Sequence, residues 1–211
     1  MKLTTMINIY CVLVKPGYSI AHVENLYNMC IKYLSHQFNF ICLTDTKQKT
    51  DFPITFIDIN HYELDTWWNK VLIFSKEISG KEMNLYFDLD VLFTDNIDFL
   101  IKDPHDDLYV VDTVWKNKKF FELNKDKDAF TGYGNSSVML WQGHNFDYLT
   151  EMLLLDPFKH TAEHFGDDTF ISMWGNCRYL DRRIIPHNFT NSSTHLVVDP
   201  CIYINHKVNH S

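Results

Sequence analysis

The stretch that most constrains this chain is residues 83–95, MNLYFDLDVLFTD. An apolar run, Leu85-Tyr86-Phe87, leads straight into two carboxylates, Asp88 and Asp90. In an extended chain residues i and i+2 point to the same side, so the pair is expected side by side at the end of a buried strand. Two desolvated like charges at that spacing repel unless a positive charge lies between them. A divalent cation held by oxygen ligands, with open positions for substrate phosphates, meets that need. The plain alternative is a turn with solvated aspartates. Such a turn would be expected to bring Gly, Pro or Asn, whereas Val91-Leu92-Phe93 resumes the apolar run at once.

The elements before this stretch alternate. Residues 7–14, INIYCVLV, read as a buried strand. Val23, Leu26, Tyr27, Cys30, Ile31 and Leu34 fall at helical spacing. Residues 39–43 and 54–59 read as further strands, and a helix over residues 66–76 is expected to carry Trp67, Lys70, Val71 and Phe74 on one face. Strand, helix, strand, loop, strand, helix, strand describes an open α/β sheet built from crossover units, whose ligands sit at the carboxyl ends of the strands. Asp88, Asp90, Thr44, Asp45 and the loop at residues 15–18 all fall at those ends.

The second half is less regular. Residues 108–111 and 135–141 read as strands, 145–155 as a helix ended by Asp156-Pro157, 167–174 as a helix, and 201–204 as a last strand. Residues 116–128 read as a charged loop. With 211 residues, no repeat and no linker, a single domain over residues 1–211 is expected.

Composition narrows the partners. A formal charge of −8 without a basic cluster argues against nucleic acid and anionic membranes. No run is long and apolar enough to span a bilayer, and the first residues alternate rather than forming a signal-peptide core. The five cysteines show no metal-binding spacing, and four lie in apolar segments. Reduced buried thiols and a cytoplasmic location are expected.

Several residues near the strand ends suit a nucleotide. Val14 and Lys15 open a loop in which Gly17 permits close backbone approach and Tyr18 offers a ring to stack on a base; each is equally readable as part of an ordinary turn. Asp45 suits a uracil N–H or a plain turn. Lys70, on an apolar stripe, either snorkels to water or reaches into a site.

Asp88-Leu89-Asp90 with its apolar flanks resembles the Asp-X-Asp motif of nucleotide-sugar glycosyltransferases with the GT-A fold, especially family 8. The resemblance implies an open mixed sheet flanked by helices. It implies a UDP-sugar donor held by Mn²⁺ or Mg²⁺, and transfer to an acceptor the sequence does not name, with retention of configuration. Asp88 and Asp90 take the place of metal ligands, Asp88 and Leu89 also contacting the donor. Lys70 resembles the basic donor contact that precedes the motif. Asn135-Ser136-Ser137-Val138-Met139 resembles the Asn-Ser-Gly-Val-Met segment of the donor pocket, with Ser137 replacing glycine. Asp167 and Asp168 line up with the family's Asp-Gln-Asp segment, Asp167 as a sugar binder and Asp168 beside the anomeric carbon. In the tail, His206 matches the third metal ligand and Lys207 the diphosphate contact, and a nitrogen ligand there would favour Mn²⁺.

A phosphohydrolase of the haloacid dehalogenase type also pairs an apolar strand with Asp-X-Asp. There the motif follows the first strand and continues Gly-Thr; here it comes late and continues Val-Leu. A non-catalytic nucleotide- or sugar-binding module is the third reading.

Overall fold

The structure, a computed structural model, describes residues 6–101, 106–112, 134–164, 166–180, 184–186 and 202–204. Seven strands form one mixed sheet in the order β3-β2-β1-β4-β7-β6-β8. These are β1 (Ile7–Leu13), β2 (Phe38–Thr44), β3 (Ile54–Asp58), β4 (Met83–Phe87), β6 (Tyr109–Asp112), β7 (Gly134–Gln142) and β8 (Arg178–Tyr179). β1, β2, β3 and β4 run parallel, whereas β7 is antiparallel to both β4 and β6. A second sheet joins β5 (Val91–Phe93), β10 (Ile202–Ile204) and β9 (Ile184–Pro186).

Strand β1 shows why the sheet is a middle layer. Ile7, Ile9, Cys11 and Leu13 pack into one core with α1 (Ile20–Tyr33) and β5. Tyr10 and Val12 enter the opposite core, with α2 (Asp147–Leu155), α4 (Asp167–Trp174) and the 3₁₀ helix Thr66–Phe74. Apolar residues on both faces are what a strand covered on both sides requires. Cys11, Cys30 and Cys42 are buried free thiols, as expected, and Cys177 is a half-buried one.

Register is set by polar residues. Asn39, Asn8 and Asn84 lie level with one another on β2, β1 and β4. Asn39 Nδ2 donates to Asn8 Oδ1 at 3.0 Å, and Asn8 Nδ2 to Asn84 Oδ1 at 3.2 Å. A one-residue slip of any of the three strands would send its amide to the other face. Gly80 lies against this ladder: a Cβ there would stand 2.0 Å from Asn8 Nδ2.

Three expectations are corrected. The helix expected over residues 66–76 is a 3₁₀ helix, Thr66–Phe74. At three residues per turn, positions i and i+3 align, so Trp68, Val71 and Phe74 form a buried row and Trp67 and Lys70 share another. Trp67, expected in the apolar face, is 56% exposed. In this helix Asn69 Nδ2 donates back to the carbonyls of Leu64 and Thr66, local side-chain bonds of the kind that compete with regular helical pairing. Second, Asp156-Pro157 both ends α2 and starts α3 (Pro157–Glu163), with Asp156 accepting from Lys159 N–H at 3.0 Å. A proline at the first helical position is as much a start signal as a stop. Third, Asp88-Leu89-Asp90 is not extended. It is a turn closed by Val91 N–H to Asp88 O at 3.2 Å, because Val91–Phe93 leaves the main sheet for the second one. The charged loop expected at 116–128, Cys201, His206 and Lys207 lie outside the described residues.

Asn8→Ala should lower the thermal midpoint, since it removes both ladder bonds and leaves the buried Asn84 Oδ1 with only the longer bond from Tyr10 OH at 3.4 Å, a loss of about 1 kcal/mol or more. Differential scanning calorimetry checks this, and an unchanged midpoint would mean that the ladder is dispensable.

Candidate active site

The carboxyl ends of β1 and β4, the start of β7, the start of α4 and the 3₁₀ helix enclose a cleft of about 540 Å³, well within the range of small-molecule sites. Eleven of the site candidates singled out in the sequence line it: Val14, Lys15, Tyr18, Lys70, Asp88, Leu89, Asp90, Asn135, Ser137, Asp167 and Asp168. Ser136 lies directly beneath, bonded to three of them. Asp45 is turned to the side, accepting from Lys15 N–H at 3.3 Å; it braces the loop at residues 15–18 instead of lining the cleft. In that loop Gly17 has φ +122°, a conformation that favours glycine.

At the centre is the ammonium of Lys70, 6% exposed. It does not snorkel. It lies 3.1 Å from Asp88 Oδ1 and 2.9 Å from Asp167 Oδ2, and donates to Ser136 Oγ at 2.7 Å. The Tyr86 ring centroid is 5.3 Å away. Burial alone would lower the pKa of Lys70, but Asp167 and Asp88 reverse that and carry it above its ordinary value, so the lysine stays charged. The charge next to Asp88 in this structure is therefore an ammonium, supplied by the chain itself.

Asp168 is held by three donors. Its Oδ1 accepts from Ser136 N–H and Ser136 Oγ, each at 2.6 Å, and its Oδ2 from Asn135 Nδ2 at 3.1 Å. Ser136 Oγ also lies 2.5 Å from Asp167 Oδ2. A hydroxyl has one proton and serves one carboxylate at a time. Burial, outweighing Lys70, pushes Asp167 up to about 6.

Asp90 is the unsatisfied member. Its Oδ1 is buried with no hydrogen-bond partner among the described residues. Burial first, and the Asp88 carboxylate second, push its pKa up to about 7. Burial together with Asp90 and Asp88 also raises Tyr18. Asp88 itself accepts from Tyr86 OH at 2.6 Å. Asp88 and Asp90 thus differ: one is neutralised from within, the other is not.

Tyr86, Trp67 and Thr66 are cleft residues that the sequence reading missed. Tyr86 was legible, since it stands two residues before Asp88. Thr66 was not: its φ of +38° is an unusual conformation for a β-branched residue, of the kind that gathers at functional sites.

No protein-family model matches the sequence, and none of the curated proteins does. Solved structures do match. A galactosyltransferase, LgtC, in complex with donor and acceptor sugar analogues, superposes with a TM-score of 0.63 at 14% identity, over 93% of this chain and 86% of that one. An active-site glutamine-to-glutamate mutant of LgtC gives a TM-score of 0.66 at 14% identity, over the same shares. The fold is GT-A. The mixed sheet flanked by helices expected from the sequence is that of the GT-A architecture, and its Asp-X-Asp turn follows β4, not the first strand as a haloacid dehalogenase would have it.

The raised Asp90 predicts a pH dependence. Between its ordinary value of 3.8 and about 7 the folded protein keeps a proton that the unfolded chain has lost, so metal-free stability falls as pH rises through that window. Asp167 acts in the same direction up to about 6. Asp90→Asn should raise the midpoint at pH 8 and flatten the slope; thermal melts from pH 5 to pH 8 without metal test this, and a lower midpoint at pH 8 would contradict it.

Proposed function

We propose that the chain is a metal-dependent glycosyltransferase that moves a sugar from a UDP-sugar to an acceptor hydroxyl with retention of configuration. The observation that carries this reading is the gathering of Lys70, Asp88, Asp90, Asp167 and Asp168 around one cleft at the carboxyl ends of parallel strands. The LgtC structures, described as a galactosyltransferase bound to donor and acceptor sugar analogues, support the substrate class.

The donor set fits a hard divalent cation. Asp90 offers a buried oxygen without a partner among the described residues, and Asp88 adds a carboxylate beside it, an all-oxygen pair suited to Mg²⁺ or Mn²⁺. His206 and Lys207 are proposed as the further metal and diphosphate contacts. A bound cation would supply charge stabilisation of the leaving diphosphate.

The chain's own residues do the rest. The loop at Val14, Lys15 and Tyr18 takes the nucleotide. Lys70 fixes Asp88 and Asp167 and adds positive charge under the reacting bond, a preorganised group that costs no reorganisation during reaction. Asp167 holds the sugar. Asp168, with both oxygens accepting hydrogen bonds, is held still and is a weaker nucleophile for it. Its role in this reading is electrostatic, stabilising positive charge at the anomeric carbon.

Calorimetry with UDP should give binding heat with Mn²⁺ and little in excess chelator; equal affinity in both would sink the metal assignment. UDP-sugar turnover should fall about a hundredfold or more in Asp88→Asn and Asp90→Asn. The two should separate on stability: Asp88→Asn removes a partner of Lys70 and lowers the midpoint, whereas Asp90→Asn does not. Metal-dependent UDP binding without sugar hydrolysis or transfer would reduce the protein to a binding module.

A further inference from the structure

Away from the cleft, α3 and the residue after it carry the sequence His160-Thr161-Ala162-Glu163-His164. We propose that His160, Glu163 and His164 form a separate transition-metal site, taking Zn²⁺ or a neighbouring first-row divalent ion through two imidazoles and a carboxylate. His160 and Glu163 lie three apart on the helix and share a face; His164 is the C-cap, extended but with its N–H still on the His160 carbonyl, at the i+4 spacing that zinc-binding histidine pairs use. Here one ligand atom from each of the three lies within 4.8 Å of the others. None of the three lines the cleft.

The imidazoles are already arranged for it. His160 and His164 are 8% and 7% exposed. His160 Nδ1 is buried with no hydrogen-bond partner among the described residues, an open coordination atom whose neglect is costly. His164 Nδ1 lies 2.9 Å from the carbonyl of His160. A carbonyl only accepts, so Nδ1 carries the proton and Nε2 the lone pair. A ring N–H bonded to a backbone carbonyl is the usual outer contact of a metal-bound histidine. That lone pair accepts from Trp174 Nε1–H at 3.2 Å; Trp174 is 41% exposed, and a metal on Nε2 would displace this bond. Both rings meet Phe170 edge-on, with centroids 5.3 and 5.2 Å away.

A histidine pair packed on Phe170 would serve as core without any metal. That reading leaves the bare Nδ1 of His160 unexplained among the described residues. Two nitrogens and one oxygen favour Zn²⁺, Ni²⁺ or Cu²⁺ over Mg²⁺ and Ca²⁺. Three protein ligands leave a position for water, so the ion would exchange. Phe170 lies on α4, whose first turn holds Asp167 and Asp168, so a metal here braces the helix that carries part of the cleft.

The test uses the full chain and Zn²⁺ itself. Equilibrium dialysis should give one more Zn²⁺ per wild-type molecule than per His160→Gln or His164→Gln molecule. Glu163→Gln, at an exposed position that leaves packing intact, should weaken that ion by about tenfold or more. Cu²⁺ should quench indole emission in the wild type, and the quench should shrink in Trp174→Phe and in Glu163→Gln. Unchanged Zn²⁺ stoichiometry and affinity in all three ligand variants would overturn the proposal. If the histidine variants do not fold, unchanged Zn²⁺ affinity and Cu²⁺ quenching in Glu163→Gln would overturn it alone.

Discussion

The cleft depends on one buried ammonium. Lys70 sits among Asp88, Asp167 and Ser136, tying the 3₁₀ helix to the end of β4, the start of β7 and the first turn of α4. Taking away one partner of such a buried pair costs about 3–5 kcal/mol, because the other is left uncompensated. Lys70 is therefore a structural centre as well as a candidate donor contact, and its two roles do not compete. In the proposed function the same charge that holds the acidic residues would also meet a diphosphate. Without it, Asp88, Asp167 and Asp168 would be three carboxylates converging in a low-dielectric pocket.

That arrangement explains the asymmetry of the Asp-X-Asp turn. Asp88 has Lys70 and the Tyr86 hydroxyl. Asp90 has a buried oxygen with no donor among the described residues and a pKa lifted to about 7. The fold thus stores one unsatisfied carboxylate at the mouth of an otherwise compensated site. Perturbed carboxylates of this kind gather at functional sites, and the proposed cation would meet this one. Tyr18, near the same aspartates on the loop at residues 15–18, lines that side of the cleft.

Much of this was legible in the sequence because it rests on local pattern. The strands of the first half, the amphipathic helix α1 and the carboxyl-end clustering of Lys15, Tyr18, Asp88 and Asp90 follow from apolar periodicity and chain order. Lys70 stood out because a lysine in an apolar stripe requires a partner. What escaped was set by tertiary context. Nothing local says that Val91–Phe93 leaves the main sheet, which turns Asp88-Leu89-Asp90 from a strand into a turn. In the 3₁₀ helix Asn69 reaches back to the Leu64 carbonyl, and a 3.6-residue template reads the same residues as an ordinary helix. The exposed Trp67, taken for core, is the consequence. Pro157 was read as an ending when it is also a beginning, and the pairing of His160 with His164 went unnoticed for that reason.

The central claim is that Lys70 and a divalent cation divide the acidic cluster between them, the ammonium keeping Asp167 and the cation taking Asp90 with Asp88. Anomalous diffraction from crystals grown with Mn²⁺ and UDP tests it most directly. The account predicts a manganese peak within ligand distance of the Asp88 and Asp90 carboxylates, with Lys70 Nζ still on Asp167. UDP bound in the cleft with no manganese at Asp90 would contradict it.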